Sequence, residues 1–291
     1  MLRSYSTFIY LFLYAPIVLI VLFSFNSGNN AAGLTGFSVA WYGKAFTNRL
    51  MTDALQNSLV VASVSSTLAA LIGTMAALSL QKVRGPLRVV FDGLTYIAIM
   101  VPGIVIGIAT LIAIETANEG IREVGQVLTQ WISQWLGQWL TVDPGLAISL
   151  PIIPKGYDSI IAAHTLFSMA LVIVIVRARI AGMDRSLIEA SMDLYADPWA
   201  TFRQITLPQL APAIVAGFLL GFTFSFDDYV VASFVNGSRN TLPIYVFSSI
   251  RRGVTPEINA IGTSVMLFSL SMLVVAQFLL RRQSKGKPAA A

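Results

Sequence analysis

The chain has 291 residues, of which 56% are hydrophobic and only 11% are charged. A soluble globular domain usually has about 25% charged residues, so this composition excludes a protein that meets water on all sides. The net charge of +5 comes from basic residues that lie between apolar segments, which indicates membrane topology and not a nucleic-acid partner.

Six apolar segments approach the roughly 20 residues that a helix needs to cross the hydrocarbon core of a bilayer. They predict one all-α membrane domain over residues 1–291. The first segment is longer than a usual signal-peptide core and no small-residue cleavage pattern follows it, so we expect it to remain as a span. The six predicted spans are 7–25, 54–80, 89–114, 159–180, 213–235 and 257–280.

The distribution of lysine and arginine predicts the orientation. With the N-terminus inside, twelve of the 19 basic residues fall in inner segments and seven in outer segments. Because basic residues are enriched in cytoplasmic loops, we expect both termini to be cytoplasmic. The long outer loop 115–158 has five acidic residues and only two basic ones, which agrees with this orientation.

Several spans have small residues four positions apart, which lets helix backbones approach closely in lipid. We expect packing within the chain, with packing against a second subunit as the alternative. Pro102 lies near the middle of the third span and should kink it. The small residues are Ala69, Gly73 and Ala77, then Gly103 and Gly107, and finally Gly217 and Gly221.

Tryptophans at every fourth position characterise part of the outer loop: Trp131, Trp135 and Trp139. Tryptophan is typical of membrane interfaces, so this pattern predicts an amphipathic helix that lies on the outer membrane surface and contacts lipid. Contact with a binding protein, or a rim around the entrance, is the alternative.

The loop after the fourth span contains two helix starts. Ser186 and Glu189 form a capping-box pattern, which predicts a short amphipathic helix from Leu187. Asp197 followed by Pro198 is typical of an N-cap and first helical position, so a second helix should begin there. Together they predict a compact cytoplasmic unit of two short helices.

This loop resembles the cytoplasmic signature of permease subunits of bacterial ATP-binding-cassette (ABC) importers. That signature starts with Glu-Ala-Ala, has a glycine near its middle and has Leu-Pro near its end. The resemblance implies a six-helix bundle like that of type I importer permeases, in which residues 186–204 form coupling helices that dock into an ATPase, with Glu189 as the foremost contact. The matching residues assigned to ATPase coupling are Glu189, Ala190, Ser191, Asp193, Leu194, Leu207 and Pro208, and Pro212 also fits.

The chain departs from the signature at Tyr195, where the family usually has glycine. Glycine permits a positive φ at a helix end, whereas a bulky residue there costs about 1–2 kcal/mol. Either the turn is built differently here or the strain is tolerated.

The resemblance also implies the partners: a homologous second permease, two ATPase subunits and a periplasmic binding protein, all at the bacterial inner membrane. The chain has no G-x-x-x-x-G-K-[ST] motif, so ATP and magnesium should bind to the partner ATPase, and this chain should not be an enzyme. Cysteine is absent, which excludes thiolate metal sites, and we expect neither a metal nor a cofactor here. The single histidine, His164, is expected to be packed and hydrogen-bonded rather than catalytic.

Two adjacent carboxylates, Asp227 and Asp228, fall in the outer half of the fifth span. A charged residue at a helix centre raises the free energy of membrane insertion by about 2.5–3.5 kcal/mol, so the presence of two in one span needs an explanation. No basic residue lies on that span, so a transported cation is one candidate counterion. The alternatives are pairing with Arg251 or Arg252, a position in the wet outer mouth, or a proton relay.

Aromatic residues flank the two carboxylates, and Phe226 and Tyr229 are candidates for cation–π contact with an ammonium group. Packing is the commoner role of aromatic residues in a span. Glu257 follows Thr255-Pro256, which predicts a favourable position in the first turn of the last span, with cargo contact as the alternative.

The stretch 226–260 resembles the spermidine/putrescine branch of ABC permeases, and the second of its two permease subunits. This resemblance implies uptake of polyamines that a periplasmic protein delivers. An opine-like or amino-acid-derived cargo is the alternative within the branch. A proton-coupled secondary transporter is the alternative class, although the repeat symmetry common in that class is not evident.

Overall fold

The computed structural model describes residues 2–28, 33–137, 149–184, 186–253 and 255–284. Within these ranges the chain is helical, and the only β contact is an isolated bridge between Asn26 and Phe37. The α-helices are α1 (Leu2–Ser24), α2 (Ala40–Thr47), α3 (Arg49–Ser79), α4 (Pro86–Met100), α5 (Gly103–Gly137), α6 (Tyr157–Ala181), α7 (Ser186–Asp193), α8 (Pro198–Thr201), α9 (Leu207–Asp227), α10 (Val230–Val235), α11 (Leu242–Arg252) and α12 (Pro256–Ser284).

Five of the described helical segments are long and apolar enough to cross a membrane. A sixth long helix, α12, follows them with 29 residues. The fold is therefore the predicted all-α membrane bundle. The five segments are Tyr5–Ser24, Arg49–Ser79, Gly103–Trp135, Tyr157–Ala181 and Pro198–Asp227.

The centre of the bundle is formed by α3, α6 and α9, which pack closely against one another. Small residues make this possible: a Cβ atom at Gly73 would lie only 2.9 Å from Val172, and one at Gly217 would lie 3.2 Å from the same side chain. Ala69 and Ala77 are fully buried in the same region. The prediction that these small residues pack within the chain is confirmed.

The predicted third span, 89–114, is not one kinked helix. It is divided into α4 and α5, and Val101 between them has extended backbone (φ −66°, ψ 130°). The residue before a proline is pushed out of the helical region, so Pro102 ends one helix and begins the next. The backbone N–H of Val105 donates to the Pro102 carbonyl (2.9 Å) at this new start.

The predicted fifth span, 213–235, is also divided. The helix ends at Asp227, Asp228 is extended (φ −73°, ψ 122°), and α10 follows as a short separate helix. The expectation that the two aspartates are neighbours on one helix is therefore wrong. At its other end the same helical segment starts at Pro198, fifteen residues before the predicted boundary.

The tryptophan-rich segment is not a separate helix on the membrane surface. It continues α5, whose 35 residues correspond to about 52 Å, well beyond the roughly 30 Å of a hydrocarbon core. Trp131 and Trp135 are 64% and 58% exposed on this projecting helix. Trp139 lies outside the described residues.

Candidate functional site

The predicted coupling segment, residues 186–204, starts as two short helices joined by a turn. The backbone N–H of Ser186 donates to the Asp184 carboxylate (2.9 Å), so α7 begins one residue before the predicted start, with Asp184 at its head. At the second helix, the Trp199 N–H donates to the Asp197 carboxylate (3.1 Å), which confirms the predicted N-cap.

Tyr195 adopts a φ of +55°, the conformation that glycine usually takes after a helix. The Ala196 N–H donates to the Ser191 carbonyl (3.0 Å) and the Tyr195 N–H donates to the Met192 carbonyl (2.9 Å). These two bonds form a Schellman motif. The turn is thus built in the usual way and the strain is tolerated, although the Tyr195 side chain is 97% exposed and gains little packing in return.

Replacing Tyr195 with glycine should stabilise this turn by about 1 kcal/mol, because it relieves the left-handed strain. Hydrogen exchange measured by mass spectrometry should show slower exchange across residues 190–197. Leu194→Gly is the matched control, because Leu194 does not have a positive φ and glycine there should only loosen the helix end. Faster exchange in the Tyr195 variant would contradict the expectation.

Most residues assigned to ATPase coupling lie on the surface, but Ser191 is buried. Its hydroxyl donates to the Ile188 carbonyl (2.8 Å) and lies 3.0 Å from the Thr201 hydroxyl. Ser191 therefore holds α7 against α8 rather than facing a partner. The exposed members of the set are Glu189, Ala190, Asp193, Leu194, Leu207 and Pro208.

The coupling segment continues without a break into the bundle. A π-helical turn, Phe202–Thr206, joins α8 to α9, and the Leu207 N–H donates to the Phe202 carbonyl. The π-turn lies directly before Pro208, which has no N–H to continue the α-helical pattern. The helical segment Pro198–Asp227 has 30 residues and is about 45 Å long. One continuous helical segment thus joins the α8 part of the coupling segment to Asp227.

The two aspartates at the far end of this element have different environments. Asp227 is exposed and, within the described ranges, its carboxylate makes no hydrogen bond or ion pair. The Asp228 carboxylate accepts a hydrogen bond from the Ala232 N–H (2.9 Å) and thereby caps α10. Asp228 therefore stabilises the helix that follows the break, whereas the exposed carboxylate of Asp227 remains accessible to a ligand.

A buried polar chain holds Asp228 in place. His164 Nε2 lies 3.3 Å from the Asp228 carboxylate, at ion-pair distance but without the alignment of a hydrogen bond. His164 Nδ1 lies 2.7 Å from the Ser225 hydroxyl, which lies 3.0 Å from the Ser65 hydroxyl. The prediction of a packed, hydrogen-bonded His164 is confirmed, since the residue is 3% exposed. Its contact with Asp228 was not predicted, although an ionisable residue within a span was a signal for it.

The two breaks in the predicted spans meet in the structure. Cβ atoms at Gly103 would lie 3.7 Å from Val230 and Val231, which begin α10, and one at Gly107 would lie 2.7 Å from Phe234. Both glycines therefore pack inside the chain, as predicted. In a membrane, interrupted helices are tolerated where they are buried in protein or line a water-filled cavity. The second of these breaks directly follows Asp227 in the chain.

The two aromatic residues next to the aspartates, Phe226 and Tyr229, also differ in their exposure. Phe226 is 2% exposed and packs between Phe222 and Phe268, so the structure shows it in the core. Tyr229 is half-buried, with its ring centroid 4.3 Å from that of Phe247. Of the two predicted aromatic contacts, Tyr229 is therefore the one accessible to a ligand.

Arg251 and Arg252, the alternative counterions, make other contacts. The Arg251 guanidinium is 4.8 Å from the centre of the Phe247 ring, and Arg252 donates to the Ser249 hydroxyl (3.1 Å). No ion pair joins either arginine to the two aspartates among the described residues. Pairing with these arginines therefore does not explain the charge of Asp227.

Glu257 occupies the first turn of α12, as predicted. Its Oε1 accepts a hydrogen bond from the Asn48 amide (3.0 Å), which also donates to the Tyr245 hydroxyl (3.1 Å). This contact links the starts of α3 and α12 to α11. Glu257 is half-buried, and the described contacts do not involve its second carboxylate oxygen.

Comparison with known proteins adds sequence and structural relatives. The family model described as "Binding-protein-dependent transport system inner membrane component" matches residues 69–287. The spermidine/putrescine transport system permease protein PotC of Escherichia coli (strain K12) is 33% identical over 97% of this chain and 95% of its own length. The putrescine transport system permease protein PotI of the same strain is 36% identical, over 95% and 89%.

Solved structures support the same fold. A chain of a bacterial ABC transporter involved in the import of alginate superposes with a TM-score of 0.67 at 14% identity, covering 95% of this chain and 93% of that one. A chain of the MetNI methionine ABC transporter in an inward-facing conformation gives 0.58 at 14% identity, covering 80% and 95%. At this identity the likeness concerns the fold alone.

Proposed function

Because the chain belongs to the family of inner-membrane components of binding-protein-dependent transport systems, we propose that it forms half of the pore of an ABC importer for putrescine, spermidine or related small organic cations. The chain is a multi-pass permease subunit and not an enzyme, since ATP hydrolysis in such systems belongs to a separate subunit. The names of PotC and PotI support the choice of cargo.

The observation that carries the cargo proposal is the carboxylate of Asp227, which has no hydrogen-bond or ion-pair partner among the described residues. It lies at the end of α9, beside a helix break that meets a second break. A cationic amine must replace its hydration when it leaves water, and Coulomb attraction to a carboxylate strengthens as the surroundings become less polar. Tyr229 offers a ring face for cation–π contact, and Glu257 offers a second carboxylate nearer the predicted outer ends of the helices.

The proposed assembly contains a homologous permease, two ATPase subunits and a periplasmic binding protein. ATP and magnesium bind to the ATPase, and the ATPase contacts the exposed face of α7 around Glu189. Movement of the ATPase then displaces the continuous helix Pro198–Asp227 and with it the carboxylate. Both termini lie in the cytoplasm, because that orientation places twelve of the 19 basic residues there.

Uptake by the reconstituted assembly tests the cargo. Proteoliposomes that contain both permeases and the ATPase should accumulate labelled putrescine or spermidine when ATP and the binding protein are supplied. An opine, a neutral amino acid and choline are the competing solutes in the same assay. Accumulation of a neutral solute in preference to the amines, or accumulation without the ATPase, would contradict the proposal.

A further inference from the structure

A basic cavity lies between α4 and α6, near the end of the bundle that carries α7. Its volume is about 380 Å³, and its polar lining includes Gln81, Arg88, Tyr96 and Arg177. Arg88 is in the first turn of α4, and Arg177 lies one turn before the end of α6. The start of α4 therefore lies beside the end of α6, and both guanidinium groups line the cavity at that level. The proposed orientation, on which this inference rests, places that level at the cytoplasmic headgroup region.

The charge of this cavity is not balanced by its own residues. Arg177 donates a hydrogen bond to the Asp92 carboxylate, whereas the Nε atom of Arg88 is 3.8 Å from the same carboxylate, too far for a hydrogen bond. Two guanidinium groups therefore share one carboxylate, and one positive charge remains. The Arg88 side chain is 52% exposed, so its planar set of N–H donors is accessible to a phosphate.

An apolar cleft flanks the same helix. It has a volume of about 400 Å³ and lies between α3, α4 and α6, where Phe91, Leu94, Met169 and Ile173 line it. Leu80 lines both cavities, so the basic and the apolar space adjoin. Adjacent anionic and apolar binding spaces correspond to the two parts of a phospholipid.

We propose that these two cavities bind one anionic phospholipid of the cytoplasmic leaflet. Its phosphate contacts Arg88 and Arg177, and an acyl chain occupies the apolar cleft. Basic pockets between membrane helices on the cytoplasmic side suit anionic headgroups, because the leaflet is negatively charged and the nearby surface is apolar. A free phosphate ion would satisfy the arginines but has no apolar part to occupy the adjoining cleft.

Lipid retention in the purified assembly tests the site. The transporter is placed in nanodiscs of mixed phosphatidylethanolamine and phosphatidylglycerol, extracted in mild detergent, and the retained lipid is counted by native mass spectrometry. Wild type should retain phosphatidylglycerol selectively. Arg88→Gln should weaken that retention about fivefold, the effect of one basic contact at a membrane surface. Arg88 is the chosen position because its loss leaves the Arg177–Asp92 pair intact.

Lys82→Gln is the matched control, since Lys82 is exposed beside the cavity but does not line it. Equal loss in both variants would indicate general surface attraction and overturn the site. Displacement of the lipid by inorganic phosphate alone would overturn it in favour of a free anion. The chain has no cysteine of its own, so a single cysteine at Leu94 can report the occupant. Its crosslinking to the second permease would show that protein covers the cleft, which also overturns the proposal.

Lipid counting requires no transport. Failure of the lipid site therefore leaves the cargo proposal intact, and a different cargo leaves the lipid result intact. Labelling in intact cells tests the orientation: if Lys82→Cys reacted with a membrane-impermeant reagent added outside the cell, the cavity would lie in the wrong leaflet.

Discussion

Changing Asp227 to asparagine should reduce the uptake of putrescine at low concentration by about 10- to 100-fold, while basal ATP hydrolysis stays near the wild-type rate. The substitution keeps the size of the side chain and removes its charge. A hydrogen bond to a charged group contributes about 1.5–3 kcal/mol, which corresponds to this range of affinity. Uptake into proteoliposomes at several concentrations is the measurement, and the loss should appear mainly in KM.

Asp228→Asn is the internal control for that experiment, because asparagine still offers an oxygen to the Ala232 N–H and caps a helix as well as aspartate does. Its effect on KM should be much smaller. Asp53→Asn controls for charge alone, since the ion pair that Asp53 makes in the described part of the chain is with Arg49, on the exposed surface. Equal losses at Asp227 and Asp228, or an equal loss for a neutral solute, would show that Asp227 does not recognise charge.

Changing Glu189 to lysine should abolish transport and the stimulation of ATP hydrolysis by the binding protein, while the permease still inserts into the membrane. Glu189 is exposed on α7, so the substitution should not disturb the fold. Charge mismatch at an interface costs several kcal/mol, and about 2 kcal/mol already corresponds to a thirtyfold loss of affinity. Co-purification of the ATPase with the permease, followed by an uptake assay, measures both consequences.

Glu123→Lys is the matched control, with the same charge change at an exposed position on α5, toward the opposite end of the bundle. This variant should keep the ATPase bound and remain active. Normal uptake by Glu189→Lys would reject the docking role of α7. Loss of the permease from the membrane would point to misfolding instead, and Glu189→Gln, which only removes the charge, would then separate docking from insertion.

The sequence was most informative where a pattern is local or repeated. Hydrophobic length predicted six spans; five described segments are long and apolar enough to cross a membrane, and α12 lies at the position of the sixth. The predicted third and fifth spans are each divided. The Asp197-Pro198 pair correctly marked a helix start, because an N-cap depends on the few residues that follow it. Small residues four apart correctly indicated close packing within the chain, although the sequence could not name Val172 as the neighbour of Gly73 and Gly217.

The two helix breaks show why features that depend on tertiary contacts could not be predicted from local sequence patterns. Pro102 signalled the first, but a proline in a span either kinks a helix or ends it, depending on which neighbours accept the freed backbone groups. Neither proline nor glycine marks the second break, at Asp228. Its surroundings come from distant parts of the chain: His164, 64 residues away in sequence, lies beside the Asp228 carboxylate, and α10 packs against α5.

The class of this protein, its membrane character, its expected orientation and the segment that resembles an ATPase-coupling loop could all be predicted from the sequence. Hydrophobicity, charge bias and capping are properties of short stretches of chain. The three-dimensional fold was needed to show that, among the described residues, Asp228 has a partner while Asp227 has none. It was also needed to show that Ser191 and Phe226 are buried, and that one continuous helical segment runs from Pro198 to Asp227. Those features depend on contacts between distant residues, because neighbouring helices determine which polar groups find a partner and which remain available to a ligand.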